Sequence, residues 1–157
     1  MPEKKRLERP GFFFEEFEVG QWLLSPGRTV TEADVVNFAA LSGDWNGLHC
    51  DADHAARQPF GQRVAHGLLG MAIASGLSAR MGFLEGTALA FREIADWKFS
   101  RAILLGDTIR LRAEVAQTKP MPRLGGGLVT LKVELLNQRD EVVQRGSWGV
   151  LVKSRGG

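Results

Sequence analysis

Residues 66–81 read HGLLGMAIASGLSARM, and they are apolar or small on nearly every side of a helical wheel. A surface helix carries a polar face, and this stretch has almost none, so the pattern predicts a long buried helix wrapped by other structure. Gly70, Ala72, Ala74 and Gly76 keep side-chain bulk low, at a helix-propensity cost of up to about 1 kcal/mol for each glycine. That cost is intelligible where strands approach the helix closely. The uncharged run Gly67–Ala79 is shorter than the ~20 residues that span a bilayer. A core helix is therefore expected, with no role for a membrane.

On the C-terminal side the pattern becomes β. Ala88–Phe91, Ile94–Phe99, Thr108–Gln117, Val129–Asn137 and Val142–Val152 alternate in polarity, or are rich in β-branched and aromatic residues, between turn signals. Gln138–Glu141 predicts a tight turn; Lys119–Gly127, with two prolines and three consecutive glycines, predicts a longer mobile connection. On the N-terminal side, Phe12–Phe14, Phe17 and Trp22–Leu24 predict short strands, stopped by Ser25-Pro26-Gly27. Thr31, with Asp34 three residues later, predicts a capped helix that ends at Gly43. Asp44–Gly61 is polar and broken by glycine and proline, and predicts a loop with a short helix around Asp53–Arg57. The sum is an α+β fold in which one long helix lies against a curved antiparallel sheet.

With 157 residues, 44% hydrophobic and 24% charged, the composition fits one globular domain. We expect it over residues 11–157, after a charged tail over 1–10 that lacks the apolar stretch of a secretory signal. The net charge is +2, with basic residues scattered among acidic ones, which excludes the basic stripe of a nucleic-acid binder. Cys50 is the single cysteine, so an internal disulfide and a thiolate-rich metal site are excluded and a reducing compartment, the cytoplasm, is expected.

The segment that can carry chemistry is Ser42-Gly43-Asp44-Trp45-Asn46-Gly47-Leu48-His49, followed by Ala65-His66-Gly67. On a regular helix Asp44 and His49 would point about 140° apart. Gly43 stops the preceding helix, however, and Asn46-Gly47 favours a tight turn that can aim both side chains into one pocket. A carboxylate and an imidazole gripping one water can remove a proton from it and return one to a neighbouring carbon. Spacing alone fits equally an aspartate that caps a turn beside a surface histidine. Gly67 falls in the first turn of the buried helix, where backbone N–H groups lack helical partners and a developing oxyanion is favoured.

Other candidates read more plainly. His66 is expected to bond nearby backbone and His54 to be solvated. His49, His54 and Asp51 lack a recognisable zinc spacing, so no metal is expected. Cys50 is read as inert.

The runs Leu41-Ser42-Gly43-Asp44-Trp45-Asn46-Gly47-Leu48-His49 and Phe60-Gly61-Gln62-Arg63-Val64-Ala65-His66-Gly67-Leu68-Leu69 resemble the MaoC-like dehydratases, also called (R)-specific enoyl-CoA hydratases. The resemblance extends from Phe13 through the hairpin near Asn137. It implies a hot-dog fold, a sheet wrapped around a long helix, in homodimers whose sheets join. It implies reversible hydration of a trans-2-enoyl-CoA to an (R)-3-hydroxyacyl-CoA, with the thioester delivered on coenzyme A or an acyl-carrier protein. Coenzyme A is then part of the substrate, and no separate cofactor is needed. With such a substrate, Trp45 and Trp97 are candidates for shaping an acyl pocket, and Arg63, Arg92, Lys119 and Arg123 for meeting phosphates, with no assignment among them. Asp44 and His49 match the family's catalytic dyad, and Gly67 its donor to the thioester carbonyl. Asn46, inside the motif, and Ser75, farther along the helix, are assigned to substrate binding on the same resemblance. The family usually has proline where this chain has Gly47; proline fixes φ near −65° and glycine does not, so a looser or different turn is expected.

Two other activities fit the same fold. A hot-dog thioesterase would hydrolyse the acyl–sulfur bond, normally with a carboxylate near the long helix, and Gly67–Ser78 contains none. A non-catalytic acyl-thioester-binding module would keep the pocket without a rigid dyad.

Overall fold

The computed structural model describes residues 11–156, so the predicted charged tail lies outside the described residues. Six strands form one antiparallel sheet: β1 (Trp22–Leu24), β2 (Arg28–Thr29), β3 (Ala88–Phe99), β4 (Thr108–Met121), β5 (Gly126–Leu136) and β6 (Val142–Lys153). Their order is β1-β4-β5-β6-β3, with β2 also paired to β4. The helices are α1 (Glu32–Ser42), α2 (Gly47–Cys50), α3 (Ala52–Ala56) and α4 (Gly67–Arg80).

Strand alternation builds the core. Ile109, Leu111, Ala113 and Val115 of β4 and Val129, Leu131, Val133 and Leu135 of β5 are buried at every second position. Leu69, Ile73 and Leu77 of α4 recur four residues apart and join the same buried cluster. The α+β expectation therefore holds, with the helix of residues 66–81 observed as α4.

Four expectations are corrected in detail. Ala88–Phe91 and Ile94–Phe99 are one bulged strand, β3, whose register against β6 shifts three times. Lys119–Gly127 is no mobile connection, because β4 and β5 stay paired out to Met121 opposite Gly126 and close through a short 3-10 turn, Pro122–Leu124. Its glycines supply room: a Cβ on Gly126 would lie 1.9 Å from the Val152 carbonyl oxygen, and one on Gly127 would lie 2.3 Å from the Phe14 ring. The polar segment after Gly43 holds two short helices, α2 and α3. Finally, α4 is covered on one side only, since Leu68, Ala72, Ser75, Gly76 and Ala79 are exposed in the single chain.

The cap of α1 forms as expected. The Thr31 hydroxyl accepts from the Asp34 amide and the Asp34 carboxylate accepts from the Thr31 amide. Burial alone raises the Asp34 carboxyl, but the Thr31 bonds and the Arg28 guanidinium outweigh it and hold the group below its ordinary 3.8. The stability this contributes is present above that ordinary value and is lost as pH falls through the lower folded pKa.

One buried polar tie joins sheet to helix. The Gln144 amide on β6 donates to the Gly67 carbonyl at 2.9 Å and accepts from the Trp97 indole at 3.2 Å. Gly70, one turn on, faces that amide: a Cβ there would lie 2.3 Å from Gln144 Nε2 and 2.7 Å from Ile103 Cδ1. Because Gln144 is held from both ends it cannot give way cheaply, so Gly70→Ala is expected to cost about 1–3 kcal/mol despite better helix propensity. Urea unfolding checks this: the midpoint should fall with an unchanged m-value.

Candidate active site

The N-terminus of α4 opens into a cleft of about 630 Å³ lined by Asp44, His49, His66 and Gly67. Its walls are otherwise largely apolar, with Phe38, Leu48, Phe60, Phe99 and Ile103 among them. Trp45 and Trp97 do not line it. Trp45 is exposed, and Trp97 spends its indole N–H on Gln144, so the acyl-pocket assignment passes from the tryptophans to these phenylalanines and aliphatics.

Asp44 is placed by the end of α1. Gly43 takes φ 78° and terminates the helix. The Asp44 amide donates to Ser42 Oγ at 3.1 Å, and its carboxylate accepts from the Asn46 amide at 3.2 Å. Asn46 then caps α2, its Oδ1 accepting from the Leu48 amide at 3.0 Å. A helix start, and not a tight turn, thus swings His49 back toward Asp44. Arg63 fixes the far end of this turn, donating to the His49 carbonyl at 2.6 Å and pairing with Glu32 at 2.8 Å. Offered as a phosphate ligand, it is committed to holding α2 on α1.

His49 Nδ1 lies 2.7 Å from the Val64 carbonyl oxygen. A carbonyl only accepts, so Nδ1 carries the hydrogen and Nε2 keeps a lone pair when the ring is neutral. One carboxylate oxygen of Asp44 and one ring nitrogen each of His49 and His66 all lie within 4.8 Å of one another. No side-chain hydrogen bond joins Asp44 to His49 among the described residues, and a water can bridge groups this close.

His66 is the residue that sequence reasoning undervalued. It is 2% exposed, its ring stacks on His49 with centroids 3.9 Å apart, and its Nε2 donates to the Asp44 carbonyl at 2.9 Å. It does bond backbone, but backbone 22 residues away, and so it touches both halves of the candidate pair. The signal available was its place in the Ala-His-Gly run, immediately before the helix. Asp44, His49 and His66 are also the grouping, among the described residues, whose donors converge closely enough to hold a metal ion. Asp51 and His54, weighed earlier beside His49, are engaged otherwise: Asp51 caps α3 by accepting from the His54 amide at 2.9 Å.

Gly67 is the first residue of α4, so its N–H has no helical partner. A Cβ at this position would lie 2.8 Å from the Phe99 ring. Asp44, His49 and Gly67 therefore share the cleft, and two assigned residues do not reach its wall. Asn46 is used as a cap. Ser75 lies eight residues beyond Gly67, roughly 12 Å along the axis, and its exposed hydroxyl donates to the Ala72 carbonyl at 2.9 Å.

A curved antiparallel sheet backing a long helix is the hot-dog fold, which this chain shares with solved (R)-hydratase structures. The profile of the MaoC like domain matches residues 16–135, and the chain belongs to that family. It is 42% identical over 100 residues to Protein MaoC of Klebsiella aerogenes, covering 64% of this chain and 29% of that much longer protein. It is 31% identical over 144 residues to the (R)-specific enoyl-CoA hydratase of Rhodospirillum rubrum, covering 92% and 94% of the two chains. Among solved structures, the monoamine oxidase regulatory protein of Archaeoglobus fulgidus superposes with a TM-score of 0.86 at 33% identity, covering 95% of this chain and 99% of that one.

The glycine that replaces the usual proline has a spatial reason. Gly47 does not take a positive φ, so its backbone needs no special freedom. A Cβ there would lie 2.8 Å from His54 Cδ2 and 3.1 Å from Cγ. The half-buried His54 ring, from α3, occupies the room a larger residue would need, and it packs on the turn that carries His49. Gly47→Ala is expected to cost about 1 kcal/mol, at the low end of overpacking because His54 is only half buried. Adding His54→Ala should remove that penalty. A double-mutant cycle on thermal midpoints checks the coupling.

Proposed function

We propose that the protein is a hydro-lyase that adds water reversibly across the double bond of a trans-2-enoyl-CoA to give an (R)-3-hydroxyacyl-CoA. The observation that carries this reading is the convergence of the Asp44 carboxylate and the His49 imidazole in a largely apolar cleft that Gly67, the first residue of α4, also lines. A water held between the two side chains loses a proton to one of them as its oxygen bonds to C3 of the enoyl group. The π electrons move toward the thioester carbonyl, and the enolate oxygen gains negative charge against the Gly67 N–H at the positive end of α4. A proton delivered to C2 from the dyad completes the addition. Hydrolysis of the thioester is less well supported, because no carboxylate lies on α4 from Gly67 to Ser78.

The substrate in this reading is an acyl thioester, and coenzyme A serves as its carrier and not as a separate cofactor. A second copy of the chain is proposed to join along β3, an edge strand that exposes Leu89, Phe91 and Ile94. No helix among the described residues is long and apolar enough to cross a membrane, and a free Cys50 suits a reducing compartment such as the cytoplasm. Light scattering should give twice the 17.2 kDa chain mass, and Ile94→Glu should shift it toward one chain.

Crotonyl-CoA tests the reaction: loss of the enoyl absorbance without release of free thiol is expected, and thiol release would favour a thioesterase. Asp44→Asn and His49→Ala should each lower the hydration rate by about 10²–10⁴-fold with unchanged thermal midpoints. Near wild-type rates in both variants would overturn the mechanism.

A further inference from the structure

We propose that Arg101, backed by Arg145, binds the phosphate ester at the far end of the pantetheine arm that carries the acyl group. This assignment rests on the thioester reading above. Most arginines of the described chain are already engaged: Arg28 with Asp34, Arg57 with Asp53, Arg63 with Glu32, Arg110 with Asp140, Arg112 with Glu134, Arg139 with Glu141 and Arg155 with Glu16. Arg101 is exposed, forms part of the wall of the cleft that holds His49 and Gly67, and makes no side-chain hydrogen bond or ion pair among the described residues. It also borders a second, shallow recess shared with Ser100, Glu141, Val142 and Arg145. Arg101 therefore stands where the apolar cleft meets a polar recess.

The platform beneath it is fixed. The Ser100 and Arg101 amides both donate to the Val143 carbonyl of β6, at 2.8 and 3.1 Å. Two residues on, the Ile103 carbonyl accepts from the Ala65 amide at 2.8 Å, tying this segment to the residues that lead into α4. Arg145, on β6, is the second cation that lines the recess. The one acid there, Glu141, is bound by the Asn137 amide at 2.8 Å and by Arg139 at 3.0 Å. These two bonds, Asn137 first, together with the attraction of Arg139 and Arg101, hold its carboxyl below the ordinary range. With Glu141 bonded by Asn137 and Arg139, Arg101 keeps only a longer-range attraction to it, and the guanidinium donors of Arg101 and Arg145 have no partner among the described residues.

A planar guanidinium is suited to bidentate phosphate contact. The apolar walls around Leu48, Phe60 and Phe99 suit an acyl chain and offer nothing to a phosphate. Arg92, Lys119 and Arg123, the other cations considered from sequence, line neither the cleft nor the recess.

The test compares the wild-type protein with Arg101→Gln and Arg145→Gln on three crotonyl thioesters: of coenzyme A, of 4′-phosphopantetheine and of N-acetylcysteamine, which has no phosphate. Arg101→Gln is expected to raise KM for the coenzyme A ester about tenfold or more, the size of a lost charge-assisted hydrogen bond, with kcat little changed. The N-acetylcysteamine ester should be turned over equally by all three proteins. An equal loss with 4′-phosphopantetheine places the contact on the phosphate that carrier proteins share; a loss confined to coenzyme A places it on the nucleotide. Equal losses on all three esters, or no loss on coenzyme A, would overturn the assignment. Calorimetric binding of free coenzyme A keeps the two readings apart. Weaker binding by Arg101→Gln supports the phosphate contact even if no ester is hydrated, and undiminished binding refutes it.

Discussion

One side-chain amide holds the fold and the site together. Gln144 reaches from β6 to the carbonyl of Gly67, while the Trp97 indole holds its other end. The amide is 1% exposed, and a buried amide left without partners carries a penalty of about 1–3 kcal/mol, so the first turn of α4 is strongly favoured at this one place on the sheet. The absence of side chains at Gly67 and Gly70 makes the approach possible, since a Cβ at either would meet Phe99 or Gln144. Consequently α4 begins at the cleft, with Gly67 and Leu68 of its first turn in the lining.

The chemistry is assembled around that fixed point by backbone carbonyls. Val64 selects the tautomer of His49, and the Asp44 carbonyl selects that of His66. His66 stacks on His49 and bonds the backbone at Asp44, so the two members of the proposed dyad share a buried neighbour. Arg63 closes the arrangement by joining the His49 carbonyl to Glu32 of α1. The apolar cleft around these groups lowers the local dielectric and strengthens each of these contacts.

Much of this was legible in the sequence because it rests on local rules. The four-residue recurrence of Leu69, Ile73 and Leu77, the alternation in β4 and β5, and the Thr31–Asp34 box each announce their element within a few residues. What was not legible depends on contacts between distant segments. The glycines at 126 and 127 look like flexibility and are clearance for Val152 and Phe14. Gly47 looks like a loosened turn and is clearance for His54. His66 looks like a local cap, and its partner lies 22 residues away. The uncovered face of α4 could not be separated by composition from a face covered by the chain's own sheet, because small apolar residues serve both.

The central claim is that water from the Asp44–His49 pair is added to carbon and not to the thioester. Turnover of crotonyl-CoA in ¹⁸O-water, with mass analysis of the product, tests it most directly. The account predicts the label in the C3 hydroxyl of an intact 3-hydroxybutyryl-CoA. Label in a free carboxylic acid, or an unlabelled and unchanged thioester, would contradict it.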